Sequence, residues 1–207
     1  MSRDHANSGT RTMLMSVLMS APGPLVMGLG LLAGQSSTQI ADFIRRSAEL
    51  LAIIMSFAVY RVTAGDAACP PEKRAKLEKQ SNAFAGAMMC LGGCFMVGLA
   101  FLSDNSDKGN VIPGLVIALL GVVANTAFWI KYTRLNHQEP NAILQVQARL
   151  YRAKSLVDSC VTLALLSVVL APASPLAYWL DFAGSLVVAG YLIWCGVQTL
   201  RENLSKN

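Results

Sequence analysis

Charged residues stand inside two of the most apolar stretches of this 207-residue chain. The first stretch contains Arg45 and Glu49, which are four residues apart, and the second contains Lys154 and Asp158 at the same spacing. Residues four apart share one face of a helix, so each pair places a cation beside a carboxylate one turn away. An ionisable side chain near a bilayer centre costs about 2.5–3.5 kcal/mol on insertion scales, and such residues pair with one another or mark ion pathways. The pattern predicts an ion site shared by two helices.

Further polar residues extend this predicted site. Asp42 and Arg46 are also four apart, on a neighbouring face of the first helix, so we expect Asp42 in the pathway and Arg46 in support of it. Asn125 is the one strongly polar residue inside another apolar run, and Asp181 lies just inside the last run. Both are predicted to support the site.

The composition is that of a membrane protein. Apolar residues make up 54% of the chain and charged residues only 14%, whereas soluble domains contain about 25% charged residues. The net charge of +5 comes from basic residues in short loops between apolar runs, which follows the positive-inside rule and argues against a nucleic-acid partner. The five cysteines form an odd set and four lie in apolar segments, so free buried thiols are expected rather than disulfides.

The apolar runs predict an all-α membrane protein with six transmembrane helices, at about 12–32, 38–62, 80–103, 111–132, 142–170 and 176–200. Pro22 and Pro24 interrupt the first of these helices. Nearly all loop Lys and Arg lie after the second and fourth helices and at the termini, which predicts that both termini are cytoplasmic. We expect a single transmembrane domain over residues 1–207, with no soluble C-terminal domain.

The second predicted helix resembles the cation diffusion facilitator family. That family has the pattern S-x(4)-A-D-x-x-[HD]-x-x-x-D, and here it falls on the stretch that starts at Ser36. Ala41 and Asp42 fit the pattern, Arg45 stands at the first metal-ligand position and Glu49 at the second. The resemblance therefore extends to the residues of the predicted ion site, with substitutions at both ligand positions.

The resemblance continues to the end of the chain. The fifth helix of the family contains H-x-x-x-D, where this chain has Lys154 and Asp158. Residues 179–181 and 201–203 resemble the start and the exit of its sixth helix. The resemblance implies a homodimeric exporter in a bilayer that exchanges a divalent cation such as zinc for protons, most simply in a bacterial inner membrane.

The substitutions fall on the chemistry that the resemblance implies. A zinc site needs four nitrogen, oxygen or sulfur ligands. Arg45 cannot ligate because its guanidinium is always protonated, and Lys154 must first lose a proton. Glu49 and Asp158 are therefore the metal ligands that the resemblance implies, with the divalent cation as substrate and no resident cofactor assigned.

Three interpretations remain open from the sequence. The first is an ion- and proton-coupled antiporter with a modified central site, whose metal ligands are Glu49 and Asp158, with or without Asp42. The second is a carrier in which Arg45 and Lys154 hold an anionic or zwitterionic ligand. The third is a transport-inactive or partner-type membrane protein whose ion pairs are structural. An enzyme is not predicted, because the sequence lacks a Ser/His/Asp set and a Gly-rich phosphate loop.

Overall fold

The computed structural model describes residues 3–33, 37–65, 69–102, 112–170 and 175–204, and every regular element within them is an α-helix. The helices are α1 Arg3–Ser20, α2 Pro22–Ala33, α3 Ser37–Gly65, α4 Pro71–Leu102, α5 Ile112–Gln138, α6 Ala142–Leu170 and α7 Pro175–Leu204. The predicted all-α class is therefore confirmed for the part of the chain that the structure describes.

The first predicted helix is two helices in the structure. The last backbone bond before the break joins the Ala21 amide to the carbonyl of Val17, over 2.9 Å, and α2 begins at Pro22. Proline has no amide hydrogen and its ring clashes with the preceding turn, so the helix stops there and restarts with proline in its first turn. The helical segment also begins at Arg3 rather than near residue 12.

Several helices extend beyond the apolar runs that predicted them. α4 begins at Pro71 rather than near residue 80, so a polar segment that was predicted as a loop is helical. Arg74 and Glu78 form an i,i+4 ion pair of 3.1 Å within that segment, and such pairs support exposed helical turns. Apolarity marks where a helix can enter a membrane and not where the helix itself begins.

The boundary between α5 and α6 is set by local polar chemistry. α5 ends at Gln138 rather than near residue 132, and Pro140 stands two residues beyond it. Asn141 then caps α6, since its Oδ1 accepts hydrogen bonds from the amides of Ile143 (2.9 Å) and Leu144 (3.3 Å). An asparagine in this position satisfies amides that have no partner within the helix.

The helices pack as a bundle in which α4 lies against α3 and α7, and α6 lies against α5 and α7. α4 and α7 approach closely where both present glycine. A Cβ atom on Gly196 would lie only 2.7 Å from the carbonyl oxygen of Gly86. Small residues allow such contact between membrane helices.

A buried aromatic cluster joins α1 to α5 and α6. Tyr132 and Tyr151 are fully buried and stack with their ring centroids 5.4 Å apart. The hydroxyls of Ser16 on α1 and Tyr132 on α5 share a hydrogen bond of 2.7 Å. One turn along, Ser20 and Tyr151 share another of 3.2 Å. The end of α1 is thereby held beside the middle of α6.

Two helical segments among the described residues are long and apolar enough to cross a membrane, Pro71–Gly98 and Phe182–Leu204. α3 and α6 are not among these segments, and both carry charged residues within their apolar runs. Apolarity alone therefore supports two of the six predicted membrane helices. The interrupting charges on α3 and α6 are those of the predicted ion site.

Candidate ion site between α3 and α6

Arg45 and Glu49 form the half of the site that lies on α3. Arg45 Nη1 and Glu49 Oε1 are 2.9 Å apart, and the two side chains are 9% and 7% exposed. The stem of Arg45 packs over Gly92 of α4, where a Cβ atom would lie 3.6 Å from Arg45 Cγ. The predicted i,i+4 pair is therefore formed and is buried between helices.

Lys154 of α6 completes an ion triad with this pair. Its Nζ lies 3.6 Å from Glu49 Oε2, so one carboxylate presents a separate oxygen to each of two cations. Lys154 also donates a long hydrogen bond of 3.4 Å to Ser20 Oγ and lies over the ring of Tyr151, 5.2 Å from its centroid. α3, α6 and the end of α1 meet at this point.

The predicted pairing of Lys154 with Asp158 is wrong. Within the described residues, Lys154 lies within salt-bridge distance of Glu49 and not of Asp158. Side chains on a helix point back towards its N-terminus. The long Lys154 side chain therefore lies over the preceding turn, beside Tyr151, where Glu49 is available as a partner.

Asp158 instead binds α5. Asn125 Nδ2 donates to Asp158 Oδ2 over 2.6 Å. One turn before Asn125, Gly121 leaves room for the same carboxylate, since a Cβ atom there would lie 2.5 Å from Asp158 Oδ2. The predicted supporting role of Asn125 thus has a structural counterpart. We call Arg45, Glu49, Lys154 and Asp158 the ion site; Asp158 lies within electrostatic range of Lys154 and Glu49.

The structure describes only one side chain among the other three predicted residues, that of Arg46. Arg46 packs against α2, where a Cβ atom on Gly23 would lie 3.8 Å from Arg46 Cδ, and its charge also acts on Asp158. Asp42 falls in α3 and Asp181 in α7, but both side chains lie outside those that the structure describes. Their predicted roles stay predictions.

A second polar cluster lies on the same helix faces and was not predicted. Gln147 and Ser56 are buried, and Gln147 Nε2 donates to Ser56 Oγ over 2.8 Å. Ser81 of α4 donates to the same hydroxyl over 3.4 Å. Gln147 Oε1 has no hydrogen-bond partner among the described residues. The sequence does contain a signal for this cluster. Ser56 follows Glu49 by seven residues and Gln147 precedes Lys154 by seven, which is two helical turns, so each pair lies on one helix face.

Two further cations of α6 bind α7. Arg149 donates two hydrogen bonds of 2.8 Å to the carboxylate of Glu202. Arg152 Nε donates to the hydroxyl of Tyr191, and the guanidinium lies 5.4 Å from the centre of that ring. α6 therefore uses cations to contact α7 as well as α3, which the sequence did not indicate.

The chemistry open to the ion site follows from its two kinds of cation. Arg45 keeps its proton under all accessible conditions, whereas a lysine ammonium can release one. Loss of the Lys154 proton would remove the positive charge next to Glu49 Oε2. No three His, Cys, Asp or Glu side chains among the described residues form a metal-binding group. In this arrangement the two carboxylates bind protein partners.

The chain is similar to a known protein family. The model of the cation efflux transmembrane domain matches residues 13–206. The match includes α3 and α6 and therefore all of the ion site. A search of curated proteins found nothing that matches the chain.

Proposed function

Because this chain belongs to the family of cation efflux transmembrane domains, we propose that it exchanges a cation for a proton at the ion site. The family is one of membrane transporters, so the chain is an integral membrane protein of the cation diffusion facilitator type. The observation that supports this cation–proton exchange is the position of Glu49. Its two oxygens face a cation that cannot lose its proton and a cation that can.

The proposed exchange begins at Lys154, whose ammonium releases a proton to water and becomes a neutral amine. Glu49 Oε2 then no longer faces a positive charge, while Arg45 still holds Oε1. An incoming cation binds Glu49 and the carboxylate of Asp158, one turn along α6. Return of a proton to Lys154 expels the cation.

The first substrate to test is a divalent cation such as zinc. The two carboxylates supply oxygen ligands, and neutral Lys154 could supply a nitrogen, a ligand set that zinc accepts. Asp42 is a further candidate because it lies one turn before Arg46 on the same helix. We assign no resident cofactor, since the metal in this proposal is the transported ion.

We also propose an orientation and an assembly. Exposed cations are found at one end of the bundle, in α1, near the start of α4 and near the ends of α3, α5 and α7; they include Arg11, Lys76, Arg61, Lys131 and Arg201. Under the positive-inside rule this end is cytoplasmic, with both termini. A single transmembrane domain over 1–207 and a homodimer in a bacterial inner membrane complete the proposal. A reporter active only in the periplasm, fused at Asn207, should be silent; activity would contradict the orientation.

Proteoliposomes test the exchange. Wild-type protein with a Zn²⁺ gradient and an internal pH dye should couple zinc movement to proton movement. Lys154→Arg keeps the charge next to Glu49 but cannot release a proton, so both fluxes should fall to the level of empty liposomes. Lys76→Arg, on the exposed start of α4, is the matched control and should behave as wild type.

Each outcome is informative about one part of the proposal. Coupled flux in the Lys154→Arg protein would overturn the proton role of Lys154. Zinc flux without proton movement in wild type would overturn the exchange but keep metal transport. No zinc flux in folded wild-type protein would retire zinc as the substrate.

A structural role for the triad is the second candidate. Glu49 serves both Arg45 and Lys154, so the triad joins α3 to α6 with a net charge of +1, which the nearby carboxylate of Asp158 offsets. The same contacts disfavour an anion carrier, because both cations already bind Glu49. Replacing the triad with apolar residues tests the structural role.

A further inference from the structure

A groove lies between the first half of α1 and the end of α5. Its volume is about 580 Å³, and its lining is Asn7, Ser8, Arg11 and Met15 from α1 and Lys131 from α5. Arg11 and Lys131 are both exposed. We call it the α1–α5 groove. It lies at the basic end of the bundle, away from the ion site.

The two cations of the α1–α5 groove face no carboxylate among the side chains that the structure describes, since none of these lies within salt-bridge distance of Arg11 or Lys131. By contrast, Arg74 and Arg149 at the same end each bind a glutamate. Two like charges that line one groove repel each other, and an anion between them would remove that repulsion. The groove therefore has the charge of an anion site, with the side chains of Asn7 and Ser8 as neutral donors.

Exposed apolar stripes lead from both cations towards the middle of the bundle. On α1, Met15 and Leu18 follow Arg11 at one and two turns and are 46% and 58% exposed. On α5, Val123 and Leu120 precede Lys131 at two and three turns and are 69% and 64% exposed. A soluble anion would leave these apolar side chains uncovered, whereas the acyl chains of a lipid would cover them.

We propose that the α1–α5 groove binds the phosphate of an anionic phospholipid, with the acyl chains along the two stripes. Basic pockets between membrane helices at the cytoplasmic surface hold such headgroups, and each nearby Lys or Arg strengthens the attraction. The groove is anchored to the bundle by the hydrogen bond between Ser16 and Tyr132, which adjoin Met15 and Lys131. The lipid would thereby brace α1 against α5. This proposal does not depend on what the ion site transports.

Thermal unfolding of the full chain in neutral detergent tests the site. The probes are phosphatidylglycerol, phosphatidylcholine and inorganic phosphate, each titrated separately. Phosphatidylglycerol should raise the melting temperature of wild type, and phosphatidylcholine should not. In Arg11→Gln/Lys131→Gln, the phosphatidylglycerol concentration for half of the effect should rise about thirtyfold. The matched control is Arg61→Gln/Lys76→Gln, which removes two exposed cations from the same end outside the groove and should respond as wild type.

Four results would overturn the lipid site. An equal loss in both double variants would mean general attraction to the basic end. Stabilisation by inorganic phosphate at the same concentration would mean a soluble anion. Loss of a dimer in the groove variant, independent of phosphatidylglycerol, would mean that a second copy covers the groove. Native mass spectrometry gives a readout independent of unfolding, and equal phosphatidylglycerol adducts on wild type and the groove variant would also overturn the proposal.

Discussion

Lys154 Nζ and Glu49 Oε2 meet across two helices at 3.6 Å, and the other oxygen of Glu49 is held by Arg45. This contact joins two polar stretches that lie more than a hundred residues apart in the chain. It also makes Glu49 a residue that both cations share.

Glu49→Gln should destabilise the protein more than removal of the whole triad. The single change leaves Arg45 and Lys154 beside a neutral amide in place of the carboxylate that they share, and breaking a buried ion pair on one side costs about 3–5 kcal/mol. Arg45→Met/Glu49→Met/Lys154→Met removes all three charges and should melt at a higher temperature than Glu49→Gln. Thermal unfolding in detergent measures both.

The triple variant also separates the two candidate functions. A triple variant that melts at or above wild type but moves no zinc would support a transport role for the charges. A triple variant that melts below Glu49→Gln would contradict the idea that the triad acts as one network, because the losses would then add.

Gly121→Ala should displace Asp158. The new Cβ atom would lie 2.5 Å from Asp158 Oδ2, so the carboxylate must move and its 2.6 Å bond from Asn125 is strained or lost. Overpacking of this kind costs about 1–3 kcal/mol, and zinc flux should fall with it. Unfolding and flux measurements check the two effects.

The control for this change is Gly190→Ala on α7. A Cβ atom there meets nothing within 4 Å, so the substitution should raise helix stability by about 0.5–1 kcal/mol without affecting flux. Equal effects of the two substitutions would show that the space at Gly121 is not needed by Asp158.

Gln147→Met should leave the melting temperature unchanged or raise it, and should slow transport. Gln147 is fully buried and its Oε1 has no partner among the described residues, so an apolar side chain of similar length removes a cost of about 1–3 kcal/mol. Ser56 keeps Ser81 as a hydrogen-bond partner. If the polar faces of α3 and α6 lead ions between the site and the basic end, flux measured in proteoliposomes falls. Normal flux would remove this cluster from the pathway.

Contacts within one helix could be predicted from the sequence. Arg45 and Glu49 meet because helical geometry brings residues four apart together, whatever surrounds the helix. The same rule failed for Lys154 and Asp158, because partners on other helices compete with a neighbour on the same helix. Glu49 on α3 and Asn125 on α5 are those partners. The spacing within one helix does not indicate which residue of another helix lies opposite.

Helix bodies were likewise easier to predict than helix ends. Apolar runs located the middle of α3, α4, α5, α6 and α7, whereas α4 begins in a charged segment at Pro71. Charged residues such as Glu72 and Lys76 have high helix propensity and lengthen a helix into water without changing its apolar run. The break at Ala21 could be located because Pro22 terminates a helix by its covalent structure.

The carboxylate of Asp158 lies where α5 has no side chain, at Gly121, so the spacing of α5 and α6 at that level is set by a titratable group rather than by hydrocarbon. An ion that binds Asp158 must enlarge this narrow gap or draw the carboxylate out of it. Under the proposed exchange, occupancy of the site is therefore coupled to the fit of α5 against α6 at this level. Ion binding would displace either the carboxylate or the helix that faces it.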